Sequence, residues 1–558
     1  MPDLESFAAE LFLGRLRLDL LAMPPGDPRR LDPRDEEFLA RLRGFCADRV
    51  DSARIEREDR VPDEVIEGLR ELGAFCVKIP REYGGLGLSE ICYLRALMIV
   101  SSVHSALAEL LAAHQAIGLP QPLLVAGTER QKREFLPRCA REISAFALTE
   151  VELGNDPFRV RTTAVRHADT YVLNGVKLWT TNGVIADLLV VVADVPGTGS
   201  TAFVVETASP GVRVEHRGAF LGLRGVENGV IRLRDVEVPA GNRIGAEGAG
   251  LDVALAAQDT GRLSLPAACA ATAKWSLGIA RRWAAVREQW GRPIGRHDAV
   301  AGKLAFIAAT AFALEAMVEV TGRQPADTSL DAELAKLLAT ELAWRVADEL
   351  MQVRGGRGYE TAASAVARGE RGVPVEQALR DTRIGRIFDG SSEVLRVFLA
   401  RSVLARHACV ERPPVSAAGP LADQLRFVDK AARRLAGEIA AAVNVPEEHQ
   451  RHLGRLVDIG AELYAMTVTC VYAAALPEDT AAELANAFCE QARRRVADLF
   501  ERLADNHDAG DREVAARVLD DRYLWLEDGV LDPSTDGPWI AEPVAGPDVS
   551  RTIGRSPR

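Results

Sequence analysis

The 558-residue chain lacks most of the patterns that assign a function at once. Its eight cysteines are scattered and no two form a Cys-x-x-Cys pair, which speaks against a disulfide framework and a cysteine zinc site. Several lie in apolar runs, where a reduced thiol packs as a small hydrophobe, so a reducing, cytoplasmic setting is expected. Base is in deficit: 68 Lys and Arg against 80 Asp and Glu leave a net charge of -12. That excludes nucleic acid as a general partner, while a local basic groove for a phosphorylated ligand stays open. No uninterrupted apolar run reaches the roughly 18 residues that cross a bilayer. The N-terminus has neither the basic start and apolar core of a secretion signal nor the Arg-rich, acid-poor character of a transit peptide. A soluble protein is expected, with contact at a membrane surface undecided. Also missing are a Gly-x-Gly-x-x-Gly turn opening a βαβ unit, a Walker A loop, His-Glu-x-x-His and Gly-x-Ser-x-Gly, so the enzyme classes built on them have no foothold. His449 and His452 share a helix face, but no third ligand type stands near them and no metal is expected.

What is present is length and periodicity. The chain is too long for one core and suits several domains, with 47% apolar residues to fill them. Residues 1–143 read as a helical domain, with apolar residues at three- and four-residue spacing over 35–50, 62–72, 89–117 and 129–141. Pro62 suits the first position of its helix. Near residue 144 the period changes to two. Short β-rich runs at 144–149, 170–174, 187–194, 201–206 and 229–238, separated by turn pairs such as Asn174-Gly175 and Pro196-Gly197, read as a middle β-domain over 144–245. Helical spacing returns over 246–410, in runs at 263–286, 300–320 and 331–351, and Pro266 is expected to bend the first near its start. A Pro-rich linker at 411–420 leads into further helix to about residue 519, so 411–558 reads as an extra C-terminal helical unit. Its end, from 528, is expected to be extended or partly disordered. The fold class is mainly α with a central β-domain.

Within this frame residues 380–401 place a carboxylate, Asp389, on a Gly/Ser turn between two helical patterns. Locally that is a turn whose Asp and Ser side chains cap the next helix. Gly355-Gly356 is likewise, by itself, the stop of the helix before it. Taken in order, however, these segments resemble the acyl-CoA dehydrogenase family over residues 4–407. Ile79 to Gly87, IPREYGGLG, is similar to its PxxYGGxG. Phe146-Ala147-Leu148-Thr149-Glu150 is similar to (Y/F)xxTE, and Trp179-Thr180-Thr181-Asn182-Gly183 to W(I)(T/S)NG. Arg287-Glu288-Gln289-Trp290-Gly291 resembles RxQFG, and Gln352 to Tyr359 resembles QxxGGxG(Y/F). Residues 380–393, RDTRIGRIFDGSSE, resemble RDxRIxxIFEGT.

The resemblance implies FAD as cofactor. Phe146, Leu148, Thr149, Gly154, Asn155, Trp179, Thr181 and Ser391 would contact it, with Trp179 and Thr181 near the reactive edge of the flavin ring. Arg287, Gln289, Trp290, Gln352, Gly355 and Gly356 would hold the pyrophosphate and adenosine end of a flavin belonging to a neighbouring subunit, hence at least a homodimer. Asp389 would be the catalytic base that takes the α-proton of an acyl thioester, and Asp259, Arg262, Asp389 and Gly390 would bind that substrate, either acyl-CoA or an acyl carrier. An electron-transferring flavoprotein would be the oxidant. Asp259-x-Gly261-Arg262 and the extra C-terminal helices point to the very-long-chain branch. Gly261 occupies the position where some relatives carry the base instead, so no second base is expected there.

Three departures stand out. Asp389 replaces Glu; the loop after Glu150 reads VELGNDP and loses the Pro and Ser of TEPxxGSD; residues 360–372 look inserted. An Asp stops one C–C bond short, and misplacement by ~1 Å can cost on the order of 10²-fold in rate. The sequence therefore leaves three readings open: a dehydrogenase using Asp389, a weakly catalytic flavoprotein whose work is binding or assembly, and an altered flavin reaction such as monooxygenation.

Overall fold

A computed structural model of the chain describes residues 6–21, 23–154, 156, 159–324, 329–405, 419–443, 445–446 and 448–553, without the side chains of 259 and 260. Helices come first. Pro33–Arg49, Asp63–Glu71, Glu90–Val103 and Ser105–Gln115 pack into one core with later helices, while Glu129–Cys139 packs against the β-domain. The run expected as a single helix at 89–117 is broken at His104, whose backbone is extended (φ -158°) and whose Nδ1 accepts a hydrogen bond from the amide of Ala106 at 3.2 Å. A histidine that caps a second helix outcompetes continuation of the first. Pro62 precedes its helix as the capping residue instead of opening it.

The β-domain holds β1 Ser144–Ala147, β2 Thr163–His167, β3 Thr170–Thr180, β4 Leu188–Val195, β5 Gly199–Glu206, β6 Val212–Arg217, β7 Gly229–Pro239 and β8 Arg243–Ile244. The order across the sheet is β6-β7-β3-β2-β4-β5-β8, with β1 paired to β4 in parallel. The sequence reading missed β2, β6 and β8, which are short and in part charged. It also stopped β3 at Asn174, where a register shift between Leu173 and Gly175 interrupts pairing with β7. Strand β4 is covered on both faces. Leu189, Val191 and Ala193 pack inside the β-domain, while Leu188, Val190 and Val192 pack against Leu119, Leu123, Phe135 and Leu136 of the helical domain. Side-chain alternation thus joins two domains through one strand.

Helices Gly250–Gly261, Ser264–Val286, Asp298–Thr321 and Ser329–Arg354 form the second helical layer. Pro266 lies in the first turn of its helix, where the missing N–H costs no bond, so it starts the helix and does not bend it. The inserted stretch folds as the short helix Ala362–Ala367, pinned by Arg368 to Glu360 and by Arg357 to Glu370. Val375–Arg383 and Ser392–Ala405 come next, and then Ala422–Ala442, Gln450–Ala475, Thr480–Ala504 and Asp508–Leu519.

Asp298–Thr321 and Gln450–Ala475 are long and apolar enough to cross a membrane by length and composition, contrary to the sequence expectation; 78% and 89% of those windows are buried inside the protein. Among the described residues seven cysteines are free, and all seven are buried. The tail is extended but docked. Arg232 pairs with Glu542 (2.8 Å) and donates to the carbonyl of Pro543, the amide of Val549 donates to Val214, and Arg551 bridges Glu227 (2.7 Å) and Asp63 (2.8 Å).

Candidate active site

The turn at 388–390 is built by sequence that no helix could hold. Asp389 has φ +54° and Gly390 φ +82°, and a Cβ on Gly390 would sit 2.9 Å from Leu395. Asp is among the few side chains that tolerate the left-handed region. Two buried cations clamp this turn by its carbonyls. Arg262 donates to the carbonyl of Asp389 at 3.0 Å, and Lys336 to those of Phe388 (3.2 Å) and Gly390 (2.5 Å). Arg262 in turn faces Glu333 at 3.5 Å.

Lys336 is 1% exposed, and sequence reading missed it; a lysine in the middle of an apolar helical run was the available signal. Burial pulls its pKa down to about 8, against the opposing attraction of Asp389. The Asp389 carboxylate itself makes no hydrogen bond among the described residues, so it does not cap the next helix. Ser391 does that instead, accepting from the amide of Val394 at 3.5 Å.

The helix wall beside this turn leaves no room for a base at residue 261. A Cβ there would lie 2.8 Å from Ala116 Cβ and 2.9 Å from its carbonyl. The backbone of Asp259 is helical in Gly250–Gly261, and its side chain lies outside the described residues. Asn155 lies outside them as well.

Phe146, Leu148 and Thr149 are half-buried at the end of β1 and in the loop after it, and Gly154 is exposed. The loop is braced from below. Buried Lys177 donates to Glu150 (2.6 Å) and to the carbonyls of Leu148 (3.1 Å) and Val192 (2.6 Å), and Glu150 accepts from the amides of Arg161 and Thr162. The amide of Leu178 donates to Thr149 at 2.8 Å, which brings Trp179 and Thr181 beside that loop. Asn182 then ties the stretch to the carbonyl of Leu110 in the Ser105–Gln115 helix at 3.0 Å. Trp179 has φ +49° and is 62% exposed.

The remaining motif residues gather elsewhere. The end of Ser264–Val286 meets the end of Ser329–Arg354 through Trp283 Nε1 to the carbonyl of Val353 (3.1 Å), so Arg287, Gln289 and Trp290 lie by Gln352, Gly355 and Gly356. Trp290 has φ +54° and is 94% exposed. Nothing lies within 4 Å of a Cβ built on Gly355 or Gly356. Arg354 stacks 4.6 Å over Trp283 and keeps a buried Nε without a partner; burial and neighbouring Arg357 hold its pKa below the ordinary arginine range. A cation with a spare donor beside bare backbone fits a diphosphate.

Of nine non-glycine residues with positive φ among those described, four, Trp179, Asn182, Trp290 and Asp389, fall within the motifs. Strain of this kind, costing of order 1–3 kcal/mol each, concentrates where function requires it. A groove of about 720 Å³ lined by Arg29, Glu36, Arg95, Met98, Lys274 and Glu315, among others, contains none of the motif residues.

Comparison with known proteins agrees with this layout. Sequence models of the acyl-CoA dehydrogenase N-terminal, middle and C-terminal domains match residues 32–142, 145–236 and 248–404. The chain is 48% identical to the probable acyl-CoA dehydrogenase FadE10 of Mycobacterium tuberculosis, over 99% of this chain and 94% of that protein. It is 34% identical to the mitochondrial very long-chain specific acyl-CoA dehydrogenase of Bos taurus, over 71% of this chain and 62% of the other. A crystal structure of an acyl-CoA dehydrogenase complexed with FAD from Bacillus anthracis superposes with a TM-score of 0.79 at 24% identity, covering 91% of this chain and 94% of that one, and so shares the fold. The chain belongs to the acyl-CoA dehydrogenase family.

Proposed function

We propose that the protein catalyses FAD-dependent α,β-dehydrogenation of an acyl thioester, carried on CoA or on a carrier, with Asp389 as the base. The observation that carries this reading is the Asp389 carboxylate. It is free of hydrogen bonds among the described residues, yet its turn is fixed through three carbonyls by Arg262 and Lys336. A carboxylate needed only for structure would be paired; one that must take a proton has to be free and held in place.

In this reading the thioester carbonyl accepts from the amide of Asp389, which acidifies the α C–H, and the Asp389 carboxylate removes that proton. Lys336, which donates to the carbonyls on either side of Asp389, holds the carboxylate's backbone in place for that transfer. FAD, when bound, supplies the acceptor for the β-hydride. The Thr149 loop and Trp179–Gly183 would hold its ring, and Arg354, Gly355 and Gly356 its diphosphate. Because Trp290 and the two glycines face outward, a second copy of the chain would complete each site. A homodimer in the cytoplasm, reoxidised by an electron-transferring flavoprotein, is part of the same proposal.

The loss of the Pro and Ser after Glu150, together with the shortened acid, favours a slower enzyme as the second reading. The test is an anaerobic titration of the yellow protein with a panel of acyl-CoA and carrier-protein thioesters. The account expects at least one of them to bleach the flavin; no bleaching across the panel would leave only a binding role.

A further inference from the structure

The Asp508–Leu519 helix begins on its own chain and then leaves it. Arg455 holds Asp508 in a buried ion pair at 2.7 Å, yet Asp508 is the one buried residue of that helix. Every residue from 511 to 542 except Tyr523 is exposed. The stretch is not polar for all that. Val514 and Val518 share one face of the helix at i, i+4, and Trp525, Leu531 (95% exposed), Trp539 (97%) and Ile540 follow beyond it. A helix of 12 residues is marginal in water without cover for its apolar face. A run of large exposed apolar side chains marks a surface made for a partner.

Both ends of this arm are pinned. Beyond it Arg232 donates to the carbonyl of Pro543 at 2.7 Å, His216 Nε2 lies 2.7 Å from the carbonyl of Val544, and the amide of Arg551 donates to Val184 at 2.8 Å. Val184 adjoins the Trp179–Gly183 stretch, to which the proposal above gives the flavin ring. The same proposal gives the diphosphate of that flavin to Arg354, Gly355 and Gly356 of a second copy, by Trp290. One cofactor shared in this way joins the neighbourhood of the arm's anchor to the Trp290 surface of the second copy.

Charge selects among the possible partners. Between residues 523 and 541 the arm carries four acids, Glu527, Asp528, Asp532 and Asp536, and no base. Around Trp290 the balance is reversed. Arg281, Arg282, Arg292 and Arg296 are exposed, none of them forms an ion pair among the described residues, and Val286 and Trp290 present exposed apolar side chains in the same segment. An anionic membrane surface repels an acidic arm, whereas a basic patch with an apolar centre matches it in charge and in polarity. Resting on the shared-flavin dimer proposed above, we infer that residues 511–541 dock on a second copy of this chain, with Trp539 and Ile540 on its Val286–Trp290 surface and the acids facing its arginines. The copy that holds the flavin ring thereby covers the copy that holds the diphosphate.

The experiment replaces Trp539 with the photo-crosslinker benzoylphenylalanine in the full, FAD-loaded chain. The expected result on illumination is a product of twice the chain mass on a denaturing gel, with mass spectrometry placing the new bond in residues 281–296. Arg281→Glu with Arg282→Glu should cut the yield at least about fivefold, and adding Asp528→Arg with Asp532→Arg should restore much of it, because the reversed charges attract again. A product of single-chain mass, no product, a bond to any other surface, or a yield indifferent to the charge reversals would overturn the inference. So would loss of the product on adding phosphatidylglycerol vesicles with sedimentation of the chain on them, which would assign the arm to lipid. The substituted side chains are all exposed, and circular dichroism verifies that each variant is folded. Flavin bleaching by thioesters is read on the same samples. Bleaching with a failed crosslink overturns the arm alone, while the crosslink without bleaching sinks the dehydrogenase reading and leaves the arm standing.

Discussion

Asp389 is a compromise between backbone and reach. Its φ of +54° suits Asp better than Glu, because a short polar side chain tolerates the left-handed region, while Glu would extend about one C–C bond further toward a substrate carbon. What fixes the carboxylate is not its own bonding but the clamp on the turn, and here Lys336 matters most. Lys336→Met removes two donors from buried carbonyls, so a loss of about 1–3 kcal/mol in unfolding free energy is expected, with slower flavin reduction at unchanged FAD content. Denaturant melts and stopped-flow reduction check both. The lysine also sets a pH signature. Its folded pKa of about 8 lies below the model-peptide 10.5, so between those values the unfolded chain binds more protons, and this group's contribution to stability rises with pH. That rise should be absent from Lys336→Met.

At the scale of elements, the decisive joint is between the Ser105–Gln115 helix and the β-domain. His114 is fully buried, its Nε2 2.9 Å from the carbonyl of Cys139 and its Nδ1 2.9 Å from the amide of Ser144 at the start of β1. Burial lowers its pKa from 6.5 to about 4. Its contribution is therefore intact above pH 6.5 and is lost as pH falls toward 4, because the unfolded chain takes up a proton that the folded one refuses. The linkage amounts to about 3 kcal/mol at most. His114→Asn should lower the melting temperature at pH 7, and the gap to the native chain should shrink at pH 5; a gap independent of pH would contradict this placement.

Much at this scale was legible in the sequence. Long helices declared themselves by apolar spacing, and β4 and β7 by their β-branched runs. The break at His104 was not legible, because a histidine cap competes with helix continuation only through geometry. Strands β2 and β6 were missed because Arg and His alternate with too few apolar residues. At the site, the turn at 389 and the glycines at 355–356 were readable. Lys336 offered only its place in an apolar helical run, since its role comes from the distant turn whose carbonyls it holds.

At the scale of the whole molecule, the C-terminal tail returns to the middle of the chain. Arg551 links Glu227 of the β-domain to Asp63 of the first helical domain, and its amide donates to the carbonyl of Val184, next to the Trp179–Gly183 stretch. Sequence composition could announce an extended tail but not where it lands. Arg551→Ala leaves Glu227 nearly buried with Arg217 as its remaining ion-pair partner among the described residues, so faster amide hydrogen exchange over residues 182–184 and 212–217 is expected, with about 1–3 kcal/mol lost.

The central claim is best tested on the assembled, FAD-loaded protein, by the single-turnover rate of anaerobic flavin reduction with a thioester that bleaches it, for the native chain, Asp389→Asn and Asp389→Glu. The account predicts a loss of 10³-fold or more, on the order of what removing a general base and its reach costs, in Asp389→Asn with bound flavin and thioester affinity retained, and a faster rate in Asp389→Glu. A rate in Asp389→Asn equal to that of the native chain would contradict it.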